Sequence, residues 1–128
     1  ARRRAVPAPE AALMLFPESQ VRIWLYNRPC DMRKSYDGLC ALVKGALGED
    51  PLSGELFVFI NRKRTQMKVL YFDRSGYCLW GKRLEQGRFQ AHAGAEEKKP
   101  LQWTDLKLIV EGIGLCSVRQ LKRYSHPT

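Results

Sequence analysis

The polar segment at positions 61–66 has the clearest chemical character in this chain. It contains Asn61, three consecutive cations and Gln66, and it lies between two apolar runs that are typical of strands. A loop at that place would project as a hairpin tip, and a β-ribbon of that width can approach a DNA groove. Arg62 and Arg64 could bind phosphates or a guanine edge, and Asn61 and Gln66 an adenine edge. The alternative is a solvated loop, but three adjacent cations repel one another unless an anion neutralises them.

Positive charge is concentrated in the middle of the chain. The 128 residues include 22 Lys and Arg against 13 Asp and Glu, which gives a net charge of +9. The block at positions 62–88 is strongly basic, the N-terminal run of three arginines adds to it, and the remaining residues balance. A pI of about 9.7 with this distribution indicates contact with a polyanion, although basic runs are also found as solvated faces.

Two further groups of cations extend the candidate binding surface. Arg33 and Lys34 fall in the first turn of a predicted helix, where the helix dipole disfavours them and a bound anion would relieve the conflict. Arg33 reaching Asp37 one turn on is an equally good explanation. Lys82 and Arg83 follow a predicted strand that holds Trp80, which we expect to be a core residue. The predicted nucleic-acid-binding residues are Arg62, Lys63, Arg64, Lys68, Lys82, Arg83, Arg88, Arg33 and Lys34.

The sequence carries no signature of an enzyme, a metal site or a cofactor site. Its carboxylates have no spacing that indicates convergence on divalent ions, and the best explanations for Asp31 and Asp73 are a helix cap and a turn. No Ser, Cys or His arrangement predicts a nucleophile, and no glycine-rich phosphate loop is present. The four cysteines lack metal-ligand spacing. We therefore predict a non-catalytic protein without metal or cofactor.

The elements that must position these cations alternate between strand and helix patterns. Strand patterns cover residues 21–26, 56–60, 67–72 and 77–82, and the last three predict an antiparallel meander in which Phe72 pairs with Tyr77. One helix is predicted to begin at Met32, capped by Asp31, and to end at Gly48. Its predicted buried stripe is Met32, Tyr36, Leu39, Val43 and Leu47.

A second helix is predicted after Thr104, which would cap it, and its apolar face includes Leu106, Ile109 and Val110. Residues 90–100 are predicted to be an exposed loop. The predicted fold is α+β, with a small antiparallel sheet, made of the meander and an N-terminal strand, packed with two main helices.

The predicted domain organisation is a single α+β domain at residues 13–115. Residues 1–12 are expected to be a disordered basic tail, and residues 116–128 a basic tail or short helix. No apolar run approaches the roughly 18 residues that a membrane span needs, so no membrane partner is expected. Reduced thiols without a secretory signal predict the cytoplasm.

Ordered blocks of residues resemble the TnpB accessory proteins of the insertion sequence 66 family of bacterial transposable elements, which are unrelated to the RNA-guided nuclease of the same name. The resemblance runs from about Leu13 to Ile113. The blocks that carry it are Asp31-Met32-Arg33-Lys34, Asp37-Gly38-Leu39, Asp50-Pro51, Ser53-Gly54, Leu56-Phe57-Val58-Phe59, Asn61-Arg62, Arg64, Lys68, Leu70, Asp73, Gly76, Lys82-Arg83-Leu84-Glu85, Gly87, Phe89 and Leu108 to Ile113 with Glu111-Gly112.

The resemblance implies a protein that is encoded beside a transposase and supports transposition, without implying a catalytic mechanism. Together with the basic block, it predicts non-catalytic DNA binding at or near the element's ends. The rival hypothesis is an adaptor that docks on the transposase through an apolar patch including Tyr71 and Trp80, without direct contact to DNA.

Overall fold

Two apolar cores lie on opposite faces of one five-stranded sheet in residues 21–111, the part of the chain that the computed structural model describes. Along the sheet the strands run in the order β4-β3-β2-β1-β5. The strands are β1 (Ile23–Tyr26), β2 (Leu56–Ile60), β3 (Gln66–Asp73), β4 (Gly76–Arg83) and β5 (Lys98–Leu101). One helix covers each face, which confirms the α+β class.

Strand β2 is buried on both sides because it lies at the centre of the sheet. Leu56, Val58 and Ile60 belong to one core, and Phe57 and Phe59 belong to the other. All five side chains are buried, as the continuous apolar run predicts. The alternation divides this one strand between the two cores.

The β2-β3-β4 meander forms with the predicted register. Phe72 pairs with Tyr77, and their rings make an edge-to-face contact with centroids 5.2 Å apart. Val69 pairs with Trp80 further along the same two strands. The turn between the strands is closed by the Asp73–Gly76 pair, and Arg74 adopts a left-handed φ of 59° there. A two-residue hairpin requires such a conformation.

The sheet differs from the prediction at its other end. β1 pairs with β2 in parallel, since a helix connects the two, whereas the prediction was of an antiparallel sheet. Residues predicted to form an exposed loop include the edge strand β5, which is antiparallel to β1. Pro100 and the lysines at 98 and 99 concealed this strand, because they are poor strand formers that edge positions tolerate.

The first helix, α1 (Tyr36–Leu42), begins four residues later than predicted. Asp31 caps a tight turn instead of a helix, because its Oδ1 accepts a hydrogen bond from the Arg33 amide at 2.9 Å. The carbonyls of Met32 and Lys34 are turned to the ammonium group of Lys68, at 2.8 Å each. The chain around Met32 is therefore fixed by contacts with the sheet before the helix starts.

Helix α1 continues into a π-helical segment, Val43–Leu47, and ends at Gly48 as predicted. Gly48 has a left-handed φ of 64°, which glycine adopts without strain. Leu39, Val43 and Leu47 form the buried stripe. Tyr36, predicted to belong to it, is 45% exposed because it is the first residue of the helix.

The second helix, α2 (Trp103–Val110), packs on the other face. Gln102 precedes it, and its amide donates to the Asp105 carboxylate at 3.1 Å. The helix thus begins before Thr104, the predicted cap. Leu106, Ile109 and Val110 are buried as predicted. The predicted helix end at Gly112 and both predicted tails, 1–12 and 116–128, lie outside the described residues. Across residues 21–111, no helix has the length and apolar character to cross a membrane.

Candidate nucleic-acid interface

The loop between β2 and β3 is a tight turn organised by Asn61. Its Oδ1 accepts hydrogen bonds from the amides of Thr65 at 2.8 Å and Gln66 at 3.0 Å, and its carbonyl accepts from the Arg64 amide at 3.0 Å. Arg64 adopts a left-handed φ of 60° to close the turn. Because the Asn61 carboxamide oxygen is occupied inside the loop, Asn61 shapes the turn and is not free to recognise an adenine edge.

The segment after β4 is tied to this loop. The Phe89 amide donates to the Arg64 carbonyl at 2.7 Å, and the Leu84 amide donates to the Thr65 carbonyl at 2.8 Å. Phe89 itself is fully buried in the α2-side core. This anchor places Arg88 beside the loop, although it lies more than twenty positions later in the sequence.

Four predicted binding residues are thereby brought together at one end of the sheet: Arg62, Lys63, Arg64 and Arg88. We call them the loop cluster. Arg64 is partly exposed and the other three are exposed. Within residues 21–111, none of the four side chains makes a hydrogen bond or an ion pair. The cluster therefore presents positive charge that no described residue neutralises.

His92 lies behind the loop cluster and responds to its charge. Its pKa is lowered, first by burial and then by the positive charge of Arg64, with a smaller effect from Arg62. The carbonyls of Arg28 and Ile60 act in the opposite direction. The Nε2 atom is buried without a hydrogen-bond partner among the described residues, and the backbone φ is 66°. Sequence reasoning missed this neighbour, because an isolated histidine in a polar stretch gives no signal.

Lys68 lies apart from the loop cluster on the α1 face of the sheet. It pairs with Phe59 across the ladder, and its ammonium group donates to the carbonyls of Met32 and Lys34 at 2.8 Å each. These two bonds hold the Asp31–Ser35 turn against the sheet. Lys68 is therefore a structural residue in this fold.

Lys82 lies on the opposite face. It pairs with Met67, which belongs to the α2-side core, and its ammonium group donates to the Val110 carbonyl at 2.7 Å. Successive side chains of a strand point to opposite faces, so Lys68 and Lys82 cannot contribute to one surface. The predicted single basic face on the meander is therefore wrong, and the predicted residues that lie together without a described partner are those of the loop cluster, at one end of the sheet.

Two of the remaining predicted residues form exposed ion pairs. Arg33 contacts the carboxylate of Asp31 at 2.8 Å, rather than the predicted Asp37, and lowers the pKa of Asp31 well below its usual range. Arg83 contacts Glu85 at 3.1 Å. Exposed pairs of this kind are weak in water, so both arginines can exchange partners readily.

Lys34 remains exposed, and its side chain makes no hydrogen bond or ion pair with a described residue. Lys34 lies two residues before helix α1 begins, and Arg33 lies three residues before it. Neither residue is therefore in the first helical turn, where both were predicted. The conflict with the helix dipole, from which an anion site was predicted there, does not arise.

Carboxylates do not converge into a metal site in the described part of the chain. No group of three His, Cys, Asp or Glu side chains in residues 21–111 is arranged to hold a metal ion. The Asp50 carboxylate accepts from the Leu52 amide at 3.0 Å, and Asp73 closes the β3–β4 hairpin. These residues have local structural roles, as predicted for Asp73. Trp80 packs against the α2-side core, also as predicted.

Two proteins of Sinorhizobium fredii are similar to this chain over most of its length. The chain is 38% identical to the uncharacterized protein y4hO of Sinorhizobium fredii over 103 residues, which are 77% of this chain and 87% of that protein. It is 34% identical to the uncharacterized protein y4jC of the same species over 118 residues, 90% of this chain and 97% of that protein. No solved structure matches the chain.

The sequence model of the family described as IS66 Orf2-like, TnpB, matches residues 21–120. The match includes the whole described sheet, both helices and the loop cluster. This extent confirms the resemblance drawn from the ordered blocks of the sequence. The chain belongs to the IS66 Orf2-like (TnpB) family of transposition accessory proteins.

Proposed function

We propose that this protein supports transposition by binding DNA without catalysing a reaction on it, and that the contact is made by the loop cluster. The observation that carries the proposal is the meeting of Arg62, Lys63, Arg64 and Arg88 at one end of the sheet, with no neutralising partner among residues 21–111. Such a group of cations attracts a polyanion and releases its condensed counterions.

The geometry favours contact with phosphates. Arginine guanidinium groups bind phosphate oxygens in a bidentate manner, and the loop holds Arg62 and Arg64 on a rigid turn. Of the two amide side chains predicted to read adenine, Asn61 and Gln66, the first is engaged within the loop. Phosphate contacts position a protein on DNA without reading the sequence, so we expect binding at the element's ends to need a second source of specificity.

Secondary contacts are proposed at Arg33, Lys34 and Arg83. All three are exposed, and the two arginines are held only by surface carboxylates. Lys68 and Lys82 are excluded from the proposed contact, because their ammonium groups already serve backbone carbonyls. The proposed place of this activity is the bacterial cytoplasm, at the nucleoid.

The rival proposal is an adaptor that docks on the transposase. Its predicted apolar patch is reduced, because Tyr71 is only 8% exposed. In the described residues the large hydrophobic side chains with high exposure are Tyr36, at the start of α1, and Leu52, in the segment before β2. Copurification with the transposase that survives nuclease treatment would favour the adaptor, and loss of the complex on that treatment would count against it.

The test is a fluorescence-anisotropy titration of labelled duplex DNA with a cluster variant and a charge-matched control. The cluster variant is Arg62→Ala, Lys63→Ala and Arg64→Asn, because asparagine tolerates the left-handed backbone of Arg64. The control is Lys44→Ala, Lys107→Ala and Arg74→Asn, which removes the same charge at exposed positions away from the loop and includes one left-handed site.

At fixed moderate salt we expect the cluster variant to bind at least about tenfold more weakly than the wild type, while the control changes affinity by less than about twofold. Equal weakening of both variants would show that only net charge matters and would remove the loop from the proposal. Element-end DNA and random DNA of the same length should give similar affinities.

A further inference from the structure

Strand β4 lies at one end of the sheet, and its outer edge pairs with no strand among residues 21–111. It pairs with β3 on one side, and it is eight residues long. The two-residue turn closed by Asp73–Gly76 fixes which backbone groups point to β3, namely those of residues 76, 78, 80 and 82. The Leu84 amide, bonded to the Thr65 carbonyl at 2.8 Å, continues the same alternation.

The backbone groups of Tyr77, Leu79, Gly81 and Arg83 therefore point away from β3. Within residues 21–111, no group forms a hydrogen bond with these outward backbone groups. The residues of β4 from Tyr77 to Arg83 are only partly buried or exposed. By contrast, Val69 and Leu70 of β3, which pair with Trp80 and Leu79, are fully buried. An edge of this kind can accept another strand.

Among the described residues, the opposite edge strand β5 has features that protect a sheet edge, and β4 lacks them. β5 is four residues long and carries Pro100 between charged and apolar neighbours. β4 has no proline, and both of its cations are engaged, Lys82 by the Val110 carbonyl and Arg83 by Glu85. Lys82 is thus turned to helix α2, and Arg83, at the end of the strand, can exchange its exposed partner.

We propose that a second copy of this chain pairs with β4, antiparallel to it, around a two-fold axis at Trp80. This register uses all four outward residues: Tyr77 faces Arg83 of the second copy, and Leu79 faces Gly81. Trp80 of one copy faces Trp80 of the other across the axis, at a non-hydrogen-bonded position, where cross-strand side chains are closest. The two five-stranded sheets become one continuous sheet.

Charge and shape select the second copy and this register. Tyr77 receives the cation of Arg83, and Leu79 lies opposite Gly81, an open position where even an added Cβ makes only ordinary contacts with the Met67 carbonyl and Lys68. Moving the axis to residue 82 would place two lysines opposite each other, and moving it to residue 78 would leave the last outward residues without partners.

The test compares Gly81→Pro with Gly81→Ala in the full chain. Proline removes the outward amide of residue 81 without disturbing the bonds to β3, and alanine adds the same Cβ while keeping that amide. By light scattering after size exclusion we expect the wild type and Gly81→Ala at twice the mass of one chain. Gly81→Pro should have the mass of one chain, with unchanged circular dichroism showing that it is folded.

Amide hydrogen exchange locates the interface independently of these variants. The amides of Leu79 and Gly81 should be protected in the dimer and lose at least about tenfold of that protection on dilution to monomer. A wild type that stays monomeric at sub-millimolar concentration overturns the proposal, as does a dimer that survives in a folded Gly81→Pro. Outward amides that stay protected in the monomer would also overturn it, because a segment of the same chain would then cover the edge.

Discussion

The ammonium group of Lys82 lies 2.7 Å from the carbonyl oxygen of Val110, where helix α2 ends. The cation meets the negative end of the helix dipole and satisfies a carbonyl that has no partner within the helix. A residue that the charge pattern assigned to DNA binding thus joins the sheet to the helix that covers it. The fold thus divides the predicted binding residues into cations that hold the structure together and cations that no described residue neutralises.

Replacing Lys82 with methionine should destabilise the protein without affecting DNA binding. The substitution keeps the apolar stem and removes the donor, so we expect a loss of about 1–2 kcal/mol in the free energy of unfolding. Urea denaturation measures it, with Lys107→Met on the exposed side of α2 as the control, which should change stability by less than about 0.5 kcal/mol. Weaker DNA binding by folded Lys82→Met would return this residue to the interface.

Lys68→Met should also destabilise the fold, by about 1–3 kcal/mol, because it leaves the Met32 and Lys34 carbonyls without their donor. The local effect should be loosening of the turn before α1. Hydrogen exchange at the Lys34 amide, which bonds to the Asp31 carbonyl at 3.1 Å, reports on that turn. Unchanged exchange and stability would show that these two bonds are not maintained in solution.

His92 should make stability depend on pH. Burial, followed by the nearby Arg64, lowers its pKa in the folded protein below the ordinary value of 6.5. The unfolded chain therefore binds more protons than the folded protein at acidic pH. The free energy of unfolding should have its highest value above about pH 6.5 and decrease as the pH falls below that value. His92→Asn, which suits the left-handed φ of 66°, should remove this decrease between neutral pH and about pH 5.

Denaturation curves of the wild type and His92→Asn at the two pH values supply that comparison. Asp31 does not interfere with this comparison, because a carboxylate with a lowered pKa changes stability only as the pH falls below about 5. A wild type whose stability does not change over this range would mean that His92 is as accessible to protons when folded as when unfolded.

Cys30 should resist thiol reagents in the native protein. Burial raises its pKa to about 11, with the positive charge of Lys34 acting in the opposite direction. The thiol side chain is also sheltered in the α1-side core. Iodoacetamide near pH 8, followed by peptide mass analysis, should label Cys30 at least about tenfold more slowly in the native protein than in urea. Equal labelling would indicate that this core opens readily.

Local patterns were sufficient to predict most of the sheet. The meander register follows from the Asp73–Gly76 turn and the alternation that it fixes, and the double burial of β2 follows from its unbroken apolar run. β5 was missed because Pro100 and its lysines contradict strand propensity, and pairing with β1 outweighs that propensity. The parallel pairing of β1 depends on where the connecting helix lies, which no local pattern specifies.

The candidate site was less predictable than the fold. A count of charges cannot tell whether a lysine faces solvent or a carbonyl, and Lys68 and Lys82 differ from Lys63 only in the tertiary contacts that they find. The proximity of Arg88 to the loop depends on the Phe89–Arg64 backbone bond, which joins distant parts of the sequence. The loop itself was predictable, because its polar residues lie between two clear strands.

The salt dependence of DNA affinity tests the central claim most directly. Each phosphate contact contributes about −0.9 to the slope of log K against log salt, so removing three cations of the loop cluster should make the slope shallower by about 2.7. We expect this change in the Arg62, Lys63 and Arg64 variant, while the matched Lys44, Arg74 and Lys107 variant keeps the wild-type slope. A cluster variant with the wild-type slope would contradict the account.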